Sequence, residues 1–262
     1  MNQPGHVHNV TSQHLALRTT WSEKLKLLLL PTKLYTRYLL RKHQKHGDKE
    51  LNLLPFLINP EKNAIDIGAN KGIYTRALSK LVPLVHAFEP NPKIYQILCA
   101  GCPVNSSTYP IALSDDSRTT QLLIPFNVKR RTYSNQGASL SKVKVCGEHA
   151  KIEVTSRTLD SYQFSNVGFI KIDVEGHELS VLAGAKKTLA KNKPTLMVEL
   201  EERHTGFEIQ ELIAEVEKYG YWGYFLRNGV LTACNKLDAL GEHRKALKTK
   251  SYVYNFIFFP RT

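Results

Sequence analysis

From about residue 60 onward the chain switches repeatedly between two hydrophobic periods. "AIDIG" reads as a strand, and the apolar positions in 73–81 recur at helical spacing. "LVHAFE" predicts a second strand, residues 92–100 a helix, and "STYPIALS" a third strand. The pattern then changes. "TTQLLIPF" and "KIEVTSRTL" predict antiparallel strands around the polar loop "NVKRRTYSNQGASLSK", a small β-hairpin insertion. "VGFIKIDVEG" is nearly continuous in apolar residues, as a strand buried on both faces should be. After it, "HELSVLAGAKKTLAK" reads as helix, "PTLMVELE" as strand and "EIQELIAEVEKYG" as helix, with "YWGYFLRNG" and "YVYNFIFFP" completing the sheet. Strands alternating with helices predict an α/β fold with a mostly parallel, doubly wound sheet. Such sheets bind ligands beyond the carboxyl ends of their strands. The acids of "AIDIG", "HAFEP" and "IKIDVEG" all fall at those ends, so one cleft can hold them.

Residues 1–59 precede this alternation and read as a basic helical segment, separate from a domain over 60–262. Leu34, Tyr35, Tyr38 and Leu39 recur at helical spacing with Lys33, Arg37, Arg41 and Lys42 interleaved. Such a helix either packs one face on the domain or lies on an anionic membrane surface as a peripheral anchor. Much of the formal charge of +13 sits here, and surplus positive charge suits anionic partners. No nucleic-acid-binding motif accompanies it, so a nucleic-acid partner is not expected. The polar opening "MNQPGHVHNVTSQH" does not resemble a signal peptide, and the apolar run 27–30 is too short to cross a bilayer. The expectation is a cytoplasmic protein, peripheral at most to the inner membrane surface. Four cysteines fit a reducing compartment. Cys99 and Cys102, with Cys146 and His149, have ligand-like spacing. The first pair closes a helix and the second lies in a distant loop, so no metal is expected.

The loop Gly68-Ala69-Asn70-Lys71-Gly72 joins the first strand to its helix. A dinucleotide site needs G-x-G-x-x-G so that backbone amides can approach a pyrophosphate. Asn70 stands where the second glycine belongs and crowds that place. S-adenosylmethionine carries no phosphate; its sulfonium and ammonium tolerate an acid such as Asp66. Glu89, at the end of the second strand, can take both ribose hydroxyls. A nucleotide-dependent oxidoreductase is the alternative, but no Tyr-x-x-x-Lys element follows the loop. A catalytically silent, membrane-associated binding module is a third reading, opposed by the crowding of acids, which repel one another.

"DIGANKGIYT", "AFEPNP", "ALSDD", "GASL", "IKIDVEGHELSVLAGA" and "PTLMVELEERH" resemble, in this order and spacing, the FkbM-type S-adenosylmethionine-dependent methyltransferases. The likeness covers roughly residues 60–204. It implies a Rossmann-like class I fold of seven strands with the last antiparallel, and O-methylation of a hydroxyl on a sugar, glycan or secondary metabolite. By the resemblance Asp66, Gly68, Asn70 and Gly72, with Ala69 between them, surround the methionine end of the cofactor. Glu89 takes the ribose, followed by Pro90 and Asn91, and Ser114 and Asp115 meet the adenine. For Asp115 a turn-capping role is the alternative. Asp173 ends the fourth strand, where methyl group and acceptor should meet. A neutral alcohol profits from a general base, and the Asp173/Glu175 pair is favoured for it, with Glu199 orienting the acceptor. His177, Glu199 and His204 are expected around the acceptor. Helix capping is the alternative for Glu175 and Glu178, and an acid–acid–His cluster binding a divalent ion is the alternative to a direct base.

Overall fold

The computed structural model describes residues 16–17, 31–129, 131–145, 147–247, 249 and 251–261. Parallel strands β1 (Asn63–Ile67), β2 (Val85–Phe88), β3 (Ser106–Tyr109), β8 (Val167–Ile172) and β9 (Thr195–Glu199) form the centre of the main sheet. Antiparallel β12 (Asn255–Pro260) lies between β9 and β10 (Tyr221–Arg227), and β11 (Val230–Ala233) folds back on β10. The order is β11-β10-β12-β9-β8-β1-β2-β3. The order reverses at β1, between β2 and β8, which opens a crevice there.

The main sheet therefore has eight strands, not seven. The extra one is β11, joined to β10 by the turn Asn228-Gly229, both residues with positive φ. That dipeptide bends the chain into a hairpin, and the short strand after it pairs only with β10. The insertion is also larger than a hairpin. β5 (Thr119–Asn127) and β7 (His149–Arg157) pair over their length, with β4 (Ala112–Leu113) and β6 (Thr132–Tyr133) at the flanks of this second sheet. Pro110 interrupts the expected third strand, so its second half, β4, leaves the main sheet for β7.

Both faces of the main sheet are covered. Ile65, Ile67, Ile170, Ile172, Leu196 and Val198 pack on one side with Phe256 and Phe258. Ala64, Phe169, Met197 and Ile257 belong to the other. This second face is closed by the segment before β1. Leu40 of α1 (Thr32–His46), Leu51, and Leu54 and Leu57 of α2 (Leu54–Leu57) join it, together with Tyr74 and Leu78 of α3 (Ile73–Leu78). Each such leucine contributes about 1.5–3 kcal/mol through apolar burial.

The docked face of α1 is not the one read from the pattern of leucines and tyrosines. Thr36 and Leu40 are buried, while Leu34 and Tyr38 are 47% and 57% exposed. The small Thr36 accepts a hydrogen bond from Arg76 Nε at 3.0 Å. It also lets α1 approach Gly101 of α4 (Pro92–Gly101), where an added Cβ would come within 2.6 Å of Thr36. Close approach decided the face, against hydrophobicity. Beyond α1, Asp48 accepts from Tyr254 Oη at 2.7 Å and Tyr74 Oη at 3.3 Å. Residues before Trp21 and the run 27–30, apart from Ala16 and Leu17, lie outside the described residues.

The helix after β8 is two helices, α5 (Glu178–Ala183) and α6 (Lys186–Asn192). Gly184 between them passes so near Ser114 that a Cβ would lie 1.9 Å from its carbonyl oxygen. Cys99 and Cys102 are free thiols near the end of α4, and Cys146 lies outside the described residues.

Candidate active site

A cleft opens at the carboxyl ends of β1, β2 and β8, lined in part by Gly68, Asn70, Glu89, Pro90, Leu113 and Asp173. The loop after β1 is shaped by backbone constraint. Gly68 has φ of 76° and passes so near β8 that a Cβ would stand 1.8 Å from Asp173 O. No L side chain fits there. Gly68→Ala is expected to destabilise the protein by roughly 2–5 kcal/mol, from overpacking and backbone strain together. Denaturant unfolding checks this; a loss below about 1 kcal/mol contradicts the close approach.

Glu89 anchors the far wall. Its Oε2 accepts from Asn70 N at 2.9 Å and its Oε1 from Asn91 N at 2.8 Å. Burial pushes its carboxyl up to about 7, against the pull of those two amides. Each oxygen retains a lone pair for a hydroxyl donor. Among the described lining residues there is no lysine or arginine. That donor set suits a ligand with vicinal hydroxyls and positive charge and does not suit a pyrophosphate, so the residues fit S-adenosylmethionine. Glu89 would hold its ribose, and Gly68 and Asn70 would lie toward its amino-acid end.

Other expected cofactor residues shape the cleft from behind. Asp66 is buried and accepts from Thr75 Oγ1 at 2.6 Å, with burial raising its carboxyl to about 6. Ala69 is packed against Leu98, and Gly72, with φ of 79°, turns the chain into α3. Asn91 caps α4 through Lys93 N and Ile94 N and donates to Asn135 Oδ1 at 2.9 Å. His177 does not stand with Glu175 and His204. Its Nε2 lies 2.9 Å from Ser114 Oγ, which donates to Asp115 Oδ1 at 2.9 Å, so these three residues form one group, of which His177 lines the cleft.

On the opposite side the acids converge. Asp173 Oδ2 lies 3.3 Å from Lys171 Nζ, a lysine 1% exposed at the side chain and seated over the Tyr74 ring. Burial lowers the Lys171 ammonium, but Asp173 and neighbouring acids outweigh it and hold it above its ordinary value. Glu199, at the end of β9, is pushed well above the carboxylate range by burial and then by the charge of Asp173. In its protonated form it can donate. Glu175, with φ of 59°, pairs with Lys144 and lies 3.5 Å from His204 Nε2. Glu175 is thus no helix cap. Glu178 does not cap the helix either: its carboxylate accepts from Val174 N at 3.2 Å and Gly176 N at 2.9 Å, amides of the loop that precedes it. Behind His204, Glu201 is held below its ordinary range by bonds from Arg203 and Tyr252, which outweigh burial.

Lys144, Lys171 and Ser139 were not anticipated. A lone lysine inside the apolar run of β8 was a signal for Lys171, since an interior lysine needs a partner. Lys144 looked like any other base in a polar loop.

A family model described as "Methyltransferase FkbM domain" matches residues 66–222, a span that contains every wall of this cleft. Among solved structures, an FkbM methyltransferase from Methylobacillus flagellatus KT is similar with a TM-score of 0.50 and 15% identity. The similarity covers 97% of this chain and 59% of that one, so the chain spans less than two thirds of that structure's length. A TehB-like SAM-dependent methyltransferase from Corynebacterium glutamicum ATCC 13032 aligns with a TM-score of 0.49 and 10% identity, over 88% of this chain and 98% of its own. No curated protein matches the chain. With its sheet and a family match over more than half its length, the chain belongs to the FkbM methyltransferase family, and its cleft fits the cofactor S-adenosylmethionine.

Proposed function

We propose that the protein methylates a hydroxyl oxygen on a sugar, glycan or other small polyhydroxylated metabolite. The observation that carries this reading is Asp173, which lines the cofactor cleft and faces a group of carboxylates rather than an apolar wall. Bound S-adenosylmethionine supplies an electrophilic methyl group on sulfur. The residues of this chain then have two tasks. One is to hold the acceptor oxygen in line with methyl and sulfur, for which protonated Glu199 offers a donor. The other is to receive the hydroxyl proton, which Asp173 does with its carboxylate. Oxygen gains the methyl as the S–C electrons return to sulfur, and the proton ends on Asp173.

The test is incubation with labelled S-adenosylmethionine and a cell-envelope glycan extract, followed by mass spectrometry of what gains a methyl. Label found only on protein or nucleic acid would overturn the hydroxyl-acceptor reading.

A peripheral contact with an anionic membrane surface belongs to the same proposal. On α1, Lys33, Arg37, Arg41 and Lys42 are exposed beside Leu34 and Tyr38, an arrangement that suits acidic head groups with shallow apolar insertion. No described helix is long and apolar enough to cross a membrane. The protein is expected to sediment with phosphatidylserine vesicles at low salt and to release as salt screens the attraction. Charge reversal at Arg37 and Arg41 should abolish sedimentation; unchanged sedimentation would remove α1 from the contact.

A further inference from the structure

Three separate stretches of chain meet beside Asp173, and polar contacts fasten them. Ser139 Oγ donates to Glu175 O at 2.6 Å, and Ser141 Oγ donates to His204 O at 3.0 Å. Both serines belong to the return of the insertion toward β7, while Glu175 follows β8 and His204 follows β9. From that return, Lys144 extends its side chain to Glu175 Oε2 and lies 3.0 Å from His204 Nε2.

The atoms around Lys144 have a second property. One ligand atom each from Glu175, Glu199 and His204 lies within 4.8 Å of the other two, the spacing and donor set of a divalent-cation site. The lysine ammonium contacts two of these three groups. A salt bridge made only for stability gains little from such a place, because burying an ammonium costs several kcal/mol, to order of magnitude, before pairing offsets it. At the meeting of methyl donor and acceptor, however, a cation has chemical use. It favours negative charge on the acceptor oxygen while the proton leaves, the part a metal ion plays in other active sites.

We propose that Lys144 is the tethered cation of the acceptor site, its ammonium donating to the acceptor hydroxyl oxygen from the position a divalent ion would otherwise hold. The proposal rests on the methyl-transfer reading above and adds a residue and a role to it. Lys144 keeps its protons throughout. The hydroxyl proton goes to Asp173, the oxygen lone pair forms the new O–C bond, and the S–C bond breaks with its electrons on sulfur. The reaction needs no metal, because Lys144 supplies the charge.

The experiment has one arm that needs neither cofactor nor acceptor. Mn²⁺ binding is followed by electron paramagnetic resonance for the full chain, for Lys144→Met, and for Lys144→Met combined with His204→Ala. The expected result is at least tenfold tighter binding by Lys144→Met than by the wild type, lost again in the double variant. Equal binding by wild type and Lys144→Met overturns the proposal, whether both bind or neither does. In the second arm methyl transfer is measured. Lys144→Met is expected to lose 10²-fold or more in kcat with cofactor KM unchanged and to regain part of the rate with Mn²⁺, while Lys144→Arg keeps most of it. A wild-type rate in Lys144→Met, or a wild-type enzyme that needs Mn²⁺, overturns the proposal. Should Lys144→Met fail to fold, the charge-preserving Lys144→Arg decides: loss of its rate with the fold intact counts against a role for charge alone. If no acceptor is methylated at all, the Mn²⁺ arm still stands, so the two readings fail separately.

Discussion

Glu89→Ala is expected to weaken S-adenosylhomocysteine binding by roughly 10²–10⁴-fold, because two hydrogen bonds to a charged group, each about 1.5–3 kcal/mol, disappear together. The same carboxylate fastens Asn70 N and Asn91 N, so its loss also loosens both sides of the cleft. Glu89→Gln separates the two effects in part: it keeps the volume and one acceptor but turns an NH₂ toward an amide donor. The wild type should show a pH signature that neither variant shares. Burial raises the free carboxyl to about 7, and in the proposed site ribose hydroxyls would donate to its ionised form. Below pH 7 a proton must leave before the ligand is held, and affinity should fall by up to tenfold per pH unit. Stability runs the other way. A carboxyl raised above its unfolded value of 4.5 contributes stability fully present below about 4.5 and lost as pH rises through 7. Asp66, raised to about 6, and Glu178, raised to about 7, act in the same direction. Between pH 8 and 6 the free protein should therefore gain stability from these groups while its cofactor affinity drops. Calorimetric titration and thermal scans across that range check both. A flat affinity profile would remove Glu89 from the ribose.

Asp173→Asn should lower the methyl-transfer rate by about 10²–10⁴-fold, the usual worth of a general base, with cofactor affinity changed only a few-fold. The substitution has a structural side effect that must be separated. Lys171 is buried and faces Asp173 at 3.3 Å, so removing the carboxylate leaves a buried ammonium short of its partner, at a cost of about 3–5 kcal/mol. Lys171→Met combined with Asp173→Asn removes both charges and should recover most of that stability. The rate should stay low in the double variant. Recovery of rate along with stability would mean that Asp173 acts by holding Lys171 and not by taking a proton.

Most of the main sheet was legible because its strands are buried on both faces. "AIDIG", "HAFEP" and "IKIDVEG" each needed apolar residues on each side and an acid where the strand meets solvent, and that pattern survives without knowledge of neighbours. β11 was not legible. Val230 and Leu231 are exposed, so no alternation of burial marks the strand, and it exists through its pairing with β10. β4 was misread as the end of a longer strand because a run of sequence does not say which sheet it joins. On α1 the leucine and tyrosine pattern pointed to one face, and a threonine that permits close helix approach selected another.

In the site, residues whose role follows from their own backbone were readable one at a time. Gly68 needs a positive φ and no Cβ. Glu89 ends a strand at the crevice, and Asp173 ends the strand beside it. Nothing in the local pattern separated Glu178, which holds two amides of its own loop, from Glu175, which reaches across to another. The position of His177 beside Ser114 depended on where α5 packs, and the meeting of Lys144 with Glu175 and His204 depended on three segments distant in the chain. Period and turn chemistry are local, and they sufficed for the fold class, the cofactor loop and the acids at the strand ends. Which carboxyls are raised, which lysine loses its water and which histidine meets Glu175 are set by burial and by charges brought from elsewhere, and these exist only once the chain has packed.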